Sequence, residues 1–222
     1  KETDLYRFTV AAGERFYFDQ RPGFGNATWR LVDTFSNVLF FRGFGGDEEP
    51  LALSRPGTYT LILEDRRNST GSASYTFNVQ PVLDESFAYE IGTTASEAID
   101  EAGEQDRYSF TLGATTGLIF DSLTDSGSFN WTLFGPAGTH VNGRSFQSSD
   151  SFDGFSLLTL PPGNYTLTVD GSGDATGSYS FRLLDLNAAV GITPGTPVSG
   201  EFNPAKETDL YRFTVAAGER FY

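Results

Sequence analysis

From Asp4 the chain alternates. Tyr6, Phe8 and Val10 are large and apolar, Arg7 and Thr9 between them are polar, and a period of two puts the three apolar side chains on one face of a strand. Ala12-Gly13-Glu14 turns the chain, residues 15–19 read as a second strand, and Trp29 and Leu31 share a face of a third over 28–32. A fourth strand is predicted over 38–41, followed by an acidic, glycine-rich loop over 43–50. Leu51 and Leu53 lead to the turn pair Pro56-Gly57, after which Tyr59, Leu61 and Leu63 line one face of a long strand. Residues 65–71 read as a polar hairpin loop and Tyr75, Phe77 and Val79 as the returning strand. No stretch beyond a turn or two keeps a 3.6-residue apolar period; residues 96–103, with Glu97, Ala98 and Ile99, read as a strand and its turn. The chain is expected to be all-β.

The same grammar then returns. Asp106, Tyr108 and Phe110 follow Asp4, Tyr6 and Phe8 at an offset of 102, as Trp131 and Leu133 follow Trp29 and Leu31. Pro162-Gly163, Tyr165, Leu167 and Val169 follow Pro56-Gly57, Tyr59, Leu61 and Leu63 at 106, while Tyr179 and Phe181 follow Tyr75 and Phe77 at 104. The drift falls in loops, where insertions are tolerated. A longer period is stricter: residues 1–17, KETDLYRFTVAAGERFY, come back unchanged as 206–222. The expected organisation is one 205-residue period holding two diverged modules, 1–82 and 83–185, with 186–222 opening the next copy. An apolar segment ends seven residues before each downstream Asp-x-Tyr, at Ile99 and at Phe202, and reads as a lead-in strand. The first module lacks it, and residues 187–205 have the character of the missing piece.

Charge narrows the function. One period holds twelve basic and twenty-six acidic residues, so each copy carries a net charge of −14. Such a surface repels nucleic acid and anionic lipid and keeps neighbouring chains apart. Without cysteine there is no disulfide, thiolate nucleophile or cysteine-zinc site. No apolar run approaches the roughly 20 residues of a membrane helix. The absence of methionine, even at position 1, reads as that of a fragment or a processed product.

The order Asp-x-Tyr-x-Phe, then Trp-x-Leu running into Gly-Pro-Ala-Gly (131–138), then Pro-Gly-x-Tyr-x-Leu and Thr-Gly-x-Tyr-x-Phe, resembles the bacterial pre-peptidase C-terminal family. The resemblance covers most of both modules and rests on core positions. It implies jelly-roll-like modules of the kind appended to secreted peptidases or strung along large surface proteins. The expected fold is therefore all-β, two tandem jelly-roll or Greek-key β-sandwich modules per 205-residue repeat. Some members of that family bind collagen or polysaccharide, and some carry calcium at the lead-in segment, where this chain has no acidic run of that kind. The resemblance and the strand geometry together place Tyr59 and Tyr165 as Greek-key corner tyrosines, ring buried and hydroxyl on a backbone group.

Candidate chemistry is sparse. His140, the only histidine, stands in Gly138-Thr139-His140-Val141 without a Gly-x-Ser-x-Gly elbow anywhere, and reads as an exposed loop residue. Asp170 and Asp174 in Asp-Gly-Ser-Gly-Asp have the spacing of calcium ligands but lack the later bidentate glutamate, so a solvated hairpin is the plainer reading. Asp47-Glu48-Glu49 reads as a solubilising loop. Trp29 and Trp131, equivalent in the two modules, read as core and not as sugar platforms. Phe24, Phe41, Phe44, Phe146, Phe152 and Phe155 read as loop phenylalanines to be buried between modules or used for a ligand. Asn26, Asn68, Asn130 and Asn164 open Asn-x-Thr sequons.

No motif has catalytic spacing, and neither an enzyme activity nor a cofactor is expected. The expected function is structural: a repeat of a giant extracellular or cell-surface filament, stalk or adhesin shaft, of bacterial type, whose partners are neighbouring copies of itself. The alternative is a collagen- or polysaccharide-binding accessory module of a secreted hydrolase. Copies joined in a continuous array account for the 17-residue overlap better than copies joined by strand donation between subunits, because a terminal copy of residues 1–17 would compete for the same slots.

Overall fold

Of 222 residues, the computed structural model describes 2–21, 27–66, 70–149 and 157–221. The chain divides into two compact units, Lys1–Asp84 with Glu101–Glu104, and Glu85–Asp100 with Gln105–Tyr222. The first builds two antiparallel sheets. One runs in the order β1 (Thr3–Val10), β6 (Gly57–Glu64), β3 (Thr28–Val32), β4 (Val38–Gly43); the other runs β5 (Glu48–Leu53), β2 (Glu14–Arg21), β7 (Thr76–Val82). Strand alternation produces the core directly: on β6, Tyr59, Leu61 and Leu63 are buried while Thr58, Thr60 and Ile62 are not. Phe18, Phe40 and Phe44 meet the ring of Trp29 edge-on at 5.1–6.4 Å, the arrangement that aromatic quadrupoles favour.

The second unit repeats this plan with more strands. One sheet runs β13 (Gly138–Ser145), β12 (Phe129–Gly135), β15 (Gly163–Gly171), β10 (Gln105–Leu112), β8 (Glu85–Ala88). The other runs β14 (Leu157–Leu160), β11 (Thr116–Ser122), β16 (Gly177–Asp185), β9 (Thr94–Ile99). Matching by order, β10, β15, β12 and β13 stand where β1, β6, β3 and β4 stand, and β14, β11 and β16 where β5, β2 and β7 stand. The architecture is thus an all-β sandwich in which β8 and β9 have no counterparts among the described residues of the first unit. The predicted single lead-in strand is in fact two. β8 lies parallel to β10 and β9 antiparallel to β16, so the segment before Asp106 edges both sheets.

The Pro-Gly motif has a physical reason. Gly57 and Gly163 have φ of +135° and +149°, and a Cβ there would stand 2.6 Å from Thr34 Cγ2 and 2.2 Å from Pro136 Cγ. Only glycine meets both constraints.

Three readings change. Glu48 and Glu49 belong to β5, with Glu48 paired to Arg42 at 3.0 Å, and do not sit in a loop. Phe44 and Phe146 are fully buried core residues, equivalent at an offset of 102. The turn after β4 brings Phe44 edge-on to Trp29 at 5.1 Å, and the turn after β13 brings Phe146 edge-on to Phe120 at 5.2 Å. His140 lies on β13, half-buried with its ring 5.6 Å from that of Tyr165. β13 already begins at Gly138, whose φ of +98° makes the tight turn, so His140 falls within the strand and not in a loop. Phe41 is exposed, whereas Phe24, Phe152 and Phe155 lie outside the described residues.

After β16 a single 3-10 turn, Leu186–Ala188, leads into β17 (Val190–Gly191), which lies parallel to β18 (Tyr211–Arg212). Among the described residues no helix is long and apolar enough to cross a membrane.

Candidate functional site

The residues singled out in the sequence sort into corners, core and hairpin. The Tyr59 hydroxyl donates to the Arg55 carbonyl at 2.9 Å and that of Tyr165 to the Pro161 carbonyl at 2.7 Å, each four residues back across the turn, with both rings buried. Trp29 and Trp131 are fully buried. Trp131 Nε1 donates to Ser149 Oγ at 2.7 Å, while Trp29 Nε1 has no partner among the described residues. Asp170 is in the β15 ladder opposite Gln105 and Asn130, and Asp174 is exposed in the β15–β16 turn. The two aspartates of that motif are therefore divided between strand and turn. Asn130 sits on a central strand and Asn164 Oδ1 accepts from Thr111 at 2.8 Å; Asn26 and Asn68 lie outside the described residues.

The Asp-x-Tyr signature and the later Thr-Gly-x-Tyr signature come together in one cluster that neither revealed alone. In the second unit Tyr179 donates to Asp106 Oδ2 at 2.5 Å, and its hydroxyl lies 2.6 Å from that of Tyr108. In the first unit Tyr75 donates to Asp4 at 2.5 Å and lies 2.6 Å from the Tyr6 hydroxyl. An aspartate and a tyrosine two residues apart share one strand face, and the second tyrosine comes from β16 in the second unit and from the residue just before β7 in the first. The recurring offsets of 102 and 104 between these residues were the available signal.

Burial first, and then the hydrogen bond to Asp106, push the Tyr179 phenol well above its ordinary 10.0; burial does the same at Tyr108. Burial and the bond to Asp4 act likewise on Tyr75. These hydroxyls stay protonated donors at neutral pH and offer no base or nucleophile. Because the native values lie above the unfolded one, their stabilisation is complete below pH 10.0 and is lost as pH rises beyond it. Stability measured by urea titration is expected to fall above pH 10.0, together with a cooperative appearance of phenolate absorbance. Tyr179→Phe should flatten that decline; an unchanged slope would contradict the assignment.

The lead-in strands complete the cluster in the second unit. Phe87 of β8 stacks on Tyr108 at 5.1 Å and 20°. Beyond β8, the Tyr89 amide donates to the Ser109 carbonyl at 2.8 Å, and the Tyr89 hydroxyl accepts from the Leu183 amide at 2.9 Å while donating to the Thr93 carbonyl at 2.7 Å. One tyrosine thereby ties the lead-in to β10 and β16 together. The first unit has the cluster without this cover. Tyr6 is 41% exposed where Tyr108 is 2%, and Tyr75 and Phe77 are half-buried where Tyr179 and Phe181 are buried. Among the described residues, β1 and β7 are sheet edges.

Solved structures of two other proteins align with this chain at low similarity. The pre-peptidase C-terminal domain of a collagenase from Bacillus anthracis aligns over 48% of this chain and 99% of its own, with 18% identity and a TM-score of 0.36. The CUB1-EGF-CUB2 region of human MASP-1/3 aligns over 82% and 93%, with 8% identity and a TM-score of 0.29. No family model matches the chain, and no curated protein does.

Proposed function

We propose that the chain is a structural segment of an extracellular or cell-surface repeat protein, a filament, stalk or adhesin shaft of bacterial type in which like modules follow one another and neighbouring copies are the partners. The unchanged return of residues 1–17 as 206–222 carries this reading. Selection on a core alone keeps Asp4, Tyr6 and Phe8 and lets their neighbours drift, as the half-period copy has done with Gln105, Arg107 and Ser109 in place of Thr3, Leu5 and Arg7. The long-period copy keeps surface and core alike, as suits a chain whose repetition is the product. Net charge −14 per copy keeps such an array soluble. The mass of the native polypeptide, fully denatured, tests it: a mass several times the 24.2 kDa of these 222 residues is expected, and a mass near 24.2 kDa would overturn the continuous array.

One observation favours the accessory-module reading. Phe35, Val38, Leu39 and Phe41 of the first unit are all exposed, with Arg55 4.9 Å from the Phe35 ring centroid and Arg30 5.8 Å from that of Phe41. The corresponding strand of the second unit presents Thr139, Asn142 and Gly143. Retention on immobilised collagen or polysaccharide that is lost in Phe35→Ser and Phe41→Ser supports a binding role. Absence of retention assigns these side chains to packing between modules.

A further inference from the structure

The same 17-residue string occurs twice in this structure with different neighbours. In the downstream copy, β18 has a parallel partner: Val190 lies opposite Tyr211 and Gly191 opposite Arg212, the Val190 amide donates to the Leu210 carbonyl at 2.9 Å, and the Ile192 amide donates to the Arg212 carbonyl at 2.9 Å. In the upstream copy the identical Leu5, Tyr6 and Arg7 stand on β1, whose far side has no strand among the described residues. The Asp65 amide donates to the Glu2 carbonyl, so the alternation of an antiparallel ladder turns the amides and carbonyls of Leu5 and Arg7 away from β6. The groups that the lead-in segment engages at Leu210 and Arg212 are thus presented again at the edge of the first unit.

The second unit shows how a whole lead-in is seated. The turn before β9, in which the Thr93 amide donates to the Glu90 carbonyl at 3.1 Å, recurs 103 residues on between Thr196 and Thr193 at 3.1 Å, with Gly92 and Gly195 at φ +90° and +83°. The same offset carries Ala95, opposite Phe181 on β16, to Val198, and Ile99 to Phe202. Transferred to the first unit, Val198 falls opposite Phe77 and Phe202 near Ala73, beyond the start of β7. A cavity of 470 Å³ lies there, lined by the apolar groups of Ala27, Leu63 and Tyr75 and by the acidic Glu2, Asp4 and Glu64 among others.

That cavity has a counterpart filled from within. Phe129 of the second unit, at the position of Ala27, is buried 5.7 Å from the Tyr179 ring, and the lead-in residue Ile99, opposite Gly177 on β16, is buried in the same core cluster. The first unit has the small Ala27, and the segment after β17 has the large Phe202, which is 67% exposed where it stands. Large against medium in one unit becomes small against large in the other.

We propose that the open edges β1 and β7 of the first unit are a docking site for residues 187–205 of a second copy of this sequence, paired parallel to β1 through Val190 and antiparallel to β7 through Val198, with the Phe202 ring beside Tyr75 and Ala27. This names the contact between copies in the array proposed above and rests on that reading for the supply of second copies. Main-chain pairing provides the affinity, and the ring in the cavity fixes the register.

The test uses the whole 222-residue chain and a labelled synthetic peptide of residues 187–205, followed by fluorescence anisotropy and hydrogen exchange. Saturable binding is expected, with slowed exchange on β1 and β7. Phe202→Ala in the peptide, which leaves the protein untouched, should weaken binding by about tenfold or more. Ala27→Phe in the protein, supplying from within the ring that Phe129 supplies in the second unit, should weaken it similarly. No saturation at about 1 mM peptide would overturn the proposal, as would binding indifferent to Phe202→Ala. Peptide binding together with a native mass of one copy would sink the continuous array and leave the docking site standing.

Discussion

Trp131→Ala is expected to destabilise the second unit by about 3–5 kcal/mol, the range for deleting a fully buried large aromatic side chain. The indole is shut away from solvent and stacks on Phe120 with centroids 4.1 Å apart and planes within 8°. Its Nε1 donates to Ser149 Oγ, itself buried, which donates onward to the Ser145 carbonyl at 2.5 Å and pins the short turn carrying Phe146. Arg144 lies over the indole at 5.5 Å. Truncation therefore leaves a cavity, a serine hydroxyl without its indole donor, and a turn held by one fewer contact. In calorimetry the transition of the second unit should fall by roughly 15 °C or more, given several degrees per kcal/mol for a domain of this size. A fall of only a few degrees would contradict the packing described. The milder Trp131→Phe should cost more than Trp29→Phe, because among the described residues only Trp131 donates a hydrogen bond from its indole.

The second large effect separates two chemically identical clusters. Asp106→Ala is expected to cost about 3 kcal/mol, the upper range for stranding a buried hydrogen-bonding group. Asp106 and the two tyrosine rings around it are buried, and with the carboxylate gone the Tyr179 and Tyr108 hydroxyls keep, among the described residues, their contact with one another. Asp4→Ala removes the same acceptor from Tyr75, yet Asp4 is half-buried and Tyr6 exposed, so water can replace the lost oxygen at about 1 kcal/mol or less. Urea titration of the two variants gives the comparison, and equal losses would refute the role assigned to the lead-in cover.

Much of the fold was legible because strand burial follows a period of two. Tyr59, Leu61 and Leu63, or Tyr165, Leu167 and Val169, announce their buried face in any all-β setting. The half-period offsets exposed the equivalence of the two units without any coordinates. The phenylalanines were harder: Phe44 and Phe146 stand just after strands, among glycine and polar residues, where local pattern says loop. Only the path of the turn brings them over Trp29 and Phe120. The acid–tyrosine cluster was half visible, since both signatures were recognised, but their meeting depends on two sheets facing each other across about seventy residues of chain.

Residues 1–17 and 206–222 divide the two kinds of information cleanly, because the sequence is the same and the surroundings differ. Both copies turn alike: the Ala11 and Ala216 amides donate to Glu14 and Glu219 carboxylates at 2.7 Å, with Gly13 and Gly218 at φ +87° and +89°. That turn is local chemistry, a glycine that tolerates positive φ and a glutamate three residues from the amide that it caps, so the sequence by itself determines it. The pairing is not local. Residues 3–10 form an eight-residue strand against β6 in one copy, while in the other, among the described residues, Tyr211 and Arg212 alone pair, and with a different partner. A strand's backbone groups are satisfied by another segment, and its apolar face is buried by another sheet, so which strand forms, how long it runs and what it lies against was decided by the tertiary structure.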